Sequence, residues 1–247
     1  MHYLFTFKRI CSYIVTLTLF TSCSPLIWPS AYQVPMLKQQ GDIHLNAMTG
    51  TSDLNLQASV MPVNHLVLSS AYSTSVTNRE RGHVYHHSAF GLGYIDQADN
   101  LQFGLMAWYG SGKSRDNSIK IINNQDINYF TQVTYRNFQI QPYFNFLISD
   151  DTELYTGIRG SLIRTKAFST NETTRISPGN TGTFEPFVGL RQTFIDKLTV
   201  ELQAGIYSHK NTYNDNFFKG AFNRGETLLI MQIGLGYRIN LKKQSKN

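Results

Sequence analysis

From Gly41 to Leu241, apolar and polar residues alternate with a period of two, the spacing of half-buried strands and not of helices. In the last segment Thr227, Leu229, Met231, Ile233, Leu235, Tyr237, Ile239 and Leu241 share one face, opposite Gln232, Gly234, Gly236, Arg238 and Asn240. The segment before it sets Leu198, Val200, Leu202, Ala204 and Ile206 against Thr199, Glu201, Gln203 and Gly205. Phe184, Pro186, Val188 and Leu190 oppose Glu185, Gly189 and Arg191, and Leu101, Phe103, Leu105, Ala107 and Tyr109 oppose Gln102, Gly104 and Gly110. Near the start, Leu54, Leu56, Ala58 and Val60 oppose Asn55, Gln57 and Ser59. Ten such segments can be counted, and no helical stripe interrupts them.

A soluble sandwich alternates too, but its polar face meets water and is rich in Lys and Glu. Here the polar positions hold Gly, Gln, Asn and Ser with a few Arg and Glu, residue types that suit a crowded lumen. Connection lengths point the same way. Residues 61–64, 95–100, 149–151 and 195–197 read as tight turns, and between them lie longer stretches at 74–82, 111–125, 168–180 and 209–226, with a brief first outer loop at 50–52. Short periplasmic turns alternating with longer outer loops are the signature of a closed transmembrane β-barrel. The expectation is an all-β, closed antiparallel barrel of about ten strands with both ends on the periplasmic side. Residues 126–148 strain it. Their apolar set runs at odd positions (Tyr129, Val133, Tyr135) and then at even ones (Phe138, Ile140, Phe144, Phe146), so parity flips near Arg136-Asn137. A β-bulge in one long strand accounts for this; a hairpin turn, giving eleven strands, is the alternative.

Composition changes the picture in two ways. Of 247 residues only 15% are charged while 13% are aromatic, against roughly 25% charged in average soluble domains. The aromatic and β-branched content excludes disorder, and no apolar run of about 18 residues exists to cross a bilayer as a helix. The N-terminus reads separately. Lys8 and Arg9, an apolar stretch at 10–20 and the pair Thr21-Ser22 form an export leader. Leu19-Phe20-Thr21-Ser22-Cys23 resembles a bacterial lipoprotein box, in which the cysteine is lipidated and becomes the new N-terminus. Cleavage there removes Cys11 and leaves Cys23 alone, unable to form an internal disulfide. It also lowers the formal net charge from +6 to +4, because Lys8 and Arg9 are the leader's only charged residues. The expected organisation is a signal peptide at 1–22, a lipidated and proline-containing tether at 23–40 (Pro25, Pro29, Pro35), the barrel at 41–241 and a tail at 242–247.

Two further resemblances bear on fold and location. The stretch at 232–239 is similar to the C-terminal signal by which outer-membrane barrels are read by their insertion machinery, with Gln232, Gly234, Tyr237 and Ile239 at the patterned positions and Ile239 in place of a final aromatic. Tyr32-Gln33-Val34-Pro35-Met36-Leu37-Lys38-Gln39-Gln40-Gly41-Asp42, Leu56-Gln57-Ala58, Asn64-His65 and Arg136-Asn137-Phe138-Gln139-Ile140-Gln141-Pro142 resemble a family of small lipid-anchored outer-membrane β-barrels of Bacteroidota. That resemblance implies a barrel in the outer membrane, anchored through the N-terminal cysteine, and carries no biochemical activity with it.

Chemistry is sparse. The sequence has no Gly-rich phosphate loop, zinc-spaced Cys/His set or nucleophile elbow. Gly110-Ser111-Gly112-Lys113-Ser114 lacks the upstream glycine of a phosphate loop. His83, His86, His87 and Ser88 cluster, and a lipid-facing His-x-Ser pair resembles the arrangement in outer-membrane lipid A deacylases, but no carboxylate is at hand to orient the base. Asp116, Asp126, Glu172 and Asp215 are too scattered to mark a rim protease. Glu153, Arg159, Glu185, Arg191, Glu201 and Arg238 fall on the lumen face, where unpaired charges are costly, so they are expected to form a salt-bridged polar network. The outer connections and their rims (74–83, 110–127, 166–182, 209–226) carry ten Lys or Arg and six Asp or Glu, while the rest of the mature chain is balanced. Arg136, Arg164 and Lys166 near the rim are therefore candidate contacts for lipopolysaccharide phosphates. The resulting reading is a non-enzymatic barrel lipoprotein with no catalytic residue, metal, cofactor or nucleic-acid partner. It would act structurally or through surface contacts, above all through Asn211, Tyr213, Asn214, Asn216, Phe217 and Phe218. A narrow pore for small solutes is the first rival and a lipid-modifying enzyme the second.

Overall fold

The computed structural model describes residues 32–50, 53–75, 83–122, 125–170, 180–194, 197–211 and 227–241. They form ten antiparallel strands: β1 (Asp42–Thr49), β2 (Asp53–Val63), β3 (Leu66–Ser75), β4 (His83–Ala98), β5 (Leu101–Ile122), β6 (Gln125–Ser149), β7 (Thr152–Thr170), β8 (Asn180–Phe194), β9 (Leu198–Asn211) and β10 (Thr227–Asn240). Each strand pairs with its neighbours in sequence, and β1 pairs with β10 from Asp42↔Asn240 to Thr49↔Ile233, which closes the barrel and leaves no edge. Closure satisfies every strand through its neighbours, which is what allows strands to sit in lipid.

Alternation sorts the side chains as the sequence implies. Phe103, Leu105, Phe144, Phe146, Leu190, Leu202 and Leu235 stand exposed on the outer wall, and Phe90 is 74% exposed. An apolar surface of this extent on a monomer belongs against lipid. The inward residues are buried, among them Gln102, Gln139, Gln141, Asn145 and Gln203. The glycines of this face are explained by the register. Gly91 faces Trp108, Gly104 faces Tyr143, Gly112 faces Tyr135, Gly189 faces Tyr155 and Gly157 faces Phe187, each as a direct cross-strand partner. At each of these glycines a Cβ would run into the opposite ring. Large lumen aromatics are thus seated on neighbouring backbone, an arrangement used to protect strand glycines.

The short turns are tight, with His65 (φ 67°) and Asp99 (φ 49°) in the left-handed region that two-residue hairpins require. Two features depart from the sequence reading. First, parity does not flip on β6: Val133, Tyr135, Asn137, Gln139 and Gln141 are all buried, and Arg136, Phe138 and Ile140 are exposed. Tyr135 is apolar but faces the lumen, stacked on His87 with ring centroids 5.9 Å apart. β6 is one strand, and the register shift lies opposite it, where Thr134↔Ala167 and Tyr135↔Thr165 leave Lys166 of β7 as the extra residue. Second, most of the expected loop at 111–125 is strand, since β5 and β6 remain paired up to Ile122↔Gln125. The apolar outer face of β5 ends at Tyr109, so the hairpin continues beyond the belt by on the order of 40 Å at 3.3 Å per residue. Pro142 and Pro186 lack an amide hydrogen. The β6–β7 ladder accordingly skips from Ile140↔Gly160 to Tyr143↔Gly157, and the β8–β9 ladder from Phe184↔Ser208 to Phe187↔Gly205.

Candidate functional site

The lumen holds the densest chemistry. Glu153 on β7, Arg191 on β8 and Glu201 on β9 are register partners in one row. The Arg191 guanidinium donates to Glu153 Oε2 at 2.9 Å and to Glu201 Oε1 at 3.2 Å, and all three side chains are buried. Asn145 Nδ2 donates to Glu153 at 3.0 Å and Asn46 Nδ2 to Glu201 at 2.9 Å. Three inward positions higher, Arg159 pairs with its register partner Glu185, which also accepts from Thr183 Oγ1 at 2.7 Å and Ser161 Oγ at 3.3 Å. Charges this deep persist only when paired and hydrogen-bonded. Of the six lumen residues expected from sequence, five join these two groups. Arg238, half-buried on β10, makes no ion pair among the described residues. Higher still, Asp53 accepts from Asn55 Nδ2 at 2.5 Å and Gln232 Nε2 at 2.8 Å, and Gln203 Nε2 donates to Gln232 Oε1 at 2.6 Å.

Part of the lumen is taken by the chain itself. Residues 32–37, expected as part of a tether, are all buried. Tyr32 lies at mid-height, stacked on Phe187 with centroids 4.4 Å apart and planes within 11°. The Arg159 guanidinium sits 4.5 Å from its ring centroid, and Gly205 of β9 makes room for the ring, since a Cβ there would collide with it. Below Tyr32 the lumen wall holds the segment by its backbone. Gln141 Nε2 donates to Gln33 O at 2.8 Å, Arg191 Nη2 to Val34 O at 2.7 Å and Gln102 Nε2 to Leu37 O at 2.9 Å. Met36 N donates to His44 Nδ1 at 3.3 Å. At the mouth, Lys38 N and Gln39 N donate to Asp42 Oδ2, and Lys38 Nζ lies 3.8 Å from Glu153. The amides and guanidinium that line the lumen thus carry out the backbone pairing that an extended segment without a ladder would otherwise lack. Beside this mouth remains a polar hollow of about 600 Å³ bordered by Lys38, Asn64, His65, Asp96 and Gln102.

The other sequence candidates separate. His86 and Ser88 do share the outer face of β4, but the His86 ring nitrogen Nδ1 is bonded to Tyr72 Oη at 3.1 Å and Thr74 Oγ1 at 3.0 Å, not to a carboxylate. His87 points inward, 3.1 Å from Asn137 Oδ1. Among the described residues no group of three His, Cys, Asp or Glu is placed to hold a metal. Arg136 and Arg164 are exposed register partners. Lys166 belongs to β7, with its side chain outside the described set. Of the C-terminal pattern, Gln232 and Gly234 face inward, Tyr237 outward, and Ile239 is half-buried on β10. Cys23, the loop at 212–226, Glu172 and the side chains of Asp116, Asp126 and Asn211 lie outside the described residues.

No protein-family model and no curated protein matches the chain. Solved structures do. The outer membrane protease OmpT from Escherichia coli aligns with a TM-score of 0.50 at 10% identity, over 80% of this chain and 96% of that one. The translocator domain of the autotransporter NalP from Neisseria meningitidis aligns with a TM-score of 0.46 at 12% identity, over 80% and 86%. Neisserial surface protein A aligns at 0.33 and 10%, over 81% and 94%. The chain therefore has the closed antiparallel fold of outer-membrane β-barrels, and likeness at this identity extends to the fold alone.

Proposed function

We propose that this protein is a non-enzymatic outer-membrane barrel, anchored additionally by a lipid on Cys23, whose lumen is sealed by its own residues 32–37 and which acts at the cell surface through its outer connections. The observation that carries this reading is the burial of Tyr32, Val34, Met36 and Leu37 in the lumen, from Tyr32 under the Arg159 guanidinium, past Val34 bonded to Arg191, to the mouth. A barrel of this size leaves room for little more than side chains, and here a second layer of chain occupies it. The β5–β6 hairpin, extended beyond the apolar belt, is the surface offered to partners, and the aromatic- and asparagine-rich stretch 212–226 is proposed to act with it. Gln232, Gly234, Tyr237 and Ile239 act as the signal for barrel insertion.

The test is conductance. Purified full-length chain in planar lipid bilayers is expected to give no steady current, and removal of residues 32–37 is expected to produce discrete steps. Reproducible steps from the intact chain would overturn the sealed lumen and favour a narrow pore.

A further inference from the structure

The outer wall carries a built amphiphilic site at the level where its apolar belt ends. Register places Ser88, Ser111, Arg136, Arg164 and Asn180 in one row across β4 to β8. The row directly beneath is Phe90, Tyr109, Phe138 and Leu162, 74%, 54%, 47% and 56% exposed. Above it, Lys113 stands diagonal to Arg136, two residues along β5 from Ser111, with its side chain exposed. Diagonal neighbours on one face lie about 7–8 Å apart, within reach of three long cationic side chains. Like charges directly opposite one another on adjacent strands repel, yet among the described residues no carboxylate pairs with Arg136, Arg164 or Lys113. Among the described residues the cluster thus lacks an anion, and it lacks it immediately above bare aromatic and aliphatic surface.

We propose that this face binds a phosphorylated glycolipid of the outer leaflet, of the lipid A type. Arg136 and Arg164 clamp a phosphate, Lys113 adds charge, and Ser88, Ser111 and Asn180 supply neutral hydrogen bonds to the sugar. The acyl chains lie down over Phe90, Phe138 and Leu162. Guanidinium groups favour this role because two of their N–H donors match two phosphate oxygens. Ser88 thereby becomes a headgroup contact. The site is on the outer wall and is independent of whether the lumen conducts.

The experiment uses full-length protein in dodecyl maltoside micelles, titrated with diphosphoryl lipid A, dephosphorylated lipid A, phosphatidylglycerol and inorganic phosphate, with bound lipid counted by native mass spectrometry. Diphosphoryl lipid A is expected to bind in preference to the other three. The double variant Arg136→Gln/Arg164→Gln is expected to lose about tenfold or more in affinity, as removal of charge-assisted hydrogen bonds implies. Arg136→Lys/Arg164→Lys should retain most of it, and Lys197→Gln, in a turn at the opposite end, should change nothing. Retention of the unheated gel mobility shift identifies the variants that have folded, and the Lys pair serves if the Gln pair does not, with a loss of bidentate contact measured as a smaller drop. Equal binding of dephosphorylated lipid A, or unchanged binding by the folded Gln pair or by both Lys substitutions and Lys113→Gln together, would overturn the site. Equal binding of phosphatidylglycerol, or full competition by inorganic phosphate, would overturn the commitment to a glycolipid.

Discussion

Arg191 is the residue on which the interior depends most heavily, and its replacement by Met yields a magnitude that can be worked out. Its guanidinium is fully buried and satisfies Glu153 at 2.9 Å, Glu201 at 3.2 Å and the Val34 carbonyl at 2.7 Å. Methionine fills a similar volume, so the cavity contribution is small. What remains is electrostatic: two carboxylates held between β7 and β9 with their shared cation gone. Removing one partner of a buried pair costs about 3–5 kcal/mol, and an orphaned carbonyl adds about 1–3 kcal/mol. Lys38, 3.8 Å from Glu153 but partly exposed, offsets a fraction. The expected loss is therefore about 4–7 kcal/mol. Urea unfolding of protein folded into phosphatidylcholine vesicles, followed by the mobility difference between unheated and boiled samples, measures it. The triple variant Arg191→Met/Glu153→Gln/Glu201→Gln should recover most of the loss, since exchanging a whole buried ion group for neutral residues is often nearly neutral. A single variant within about 1 kcal/mol of the parent, or a triple variant no better than the single, would refute the network as described.

Three other outcomes follow from the same geometry. Tyr32→Ala should cost about 3 kcal/mol in the same unfolding assay, as loss of a buried aromatic does, whereas Tyr32→Phe should stay within about 1 kcal/mol because the hydroxyl has no hydrogen-bond partner among the described residues. Gly189→Val should destabilise by about 1–3 kcal/mol through overpacking, because even a Cβ at that position collides with the Tyr155 ring; the combination with Tyr155→Ala should be less than additive. Labelling of cells with radioactive palmitate should mark the parent protein and not Cys23→Ser, and persistent label on the variant would exclude the anchor.

The alternation made the outer wall legible, and it misled wherever an apolar residue was needed inside. On β6 it assigned Tyr135 to lipid, because a period-two reading equates aromatic with outward. The residue is inward because Gly112, its partner on β5, leaves backbone for the ring to cover. That relation is carried by two positions 23 apart in the chain and becomes visible only when the register is known. Once it is, the glycines that looked like filler on the polar face become the means by which Trp108, Tyr143, Tyr155 and Phe187 fit. The charged residues were easier to read, since a buried Glu or Arg on a lumen face has few alternatives to pairing. Arg238 near the end of β10, only half-buried, escapes that constraint.

The sealing segment follows the same logic from the other side. A solvated tether leading into a barrel needs only polar, flexible residues, yet Tyr32, Val34, Met36 and Leu37 are large and apolar. Their cost in a solvated tether was the available clue, and the prolines nearby masked it. Their partners are ordinary members of the polar lumen face: Gln102, Gln141 and Arg191 each reach a backbone carbonyl, and Gly205 is small because Tyr32 lies on it. A lumen meant to hold water would present these amides to solvent and would not need Gly205. The glycine, the stacked Phe187 and the Arg159 guanidinium form a slot shaped to one ring, which ties the barrel's interior to the segment and is the ground on which a sealed lumen is proposed.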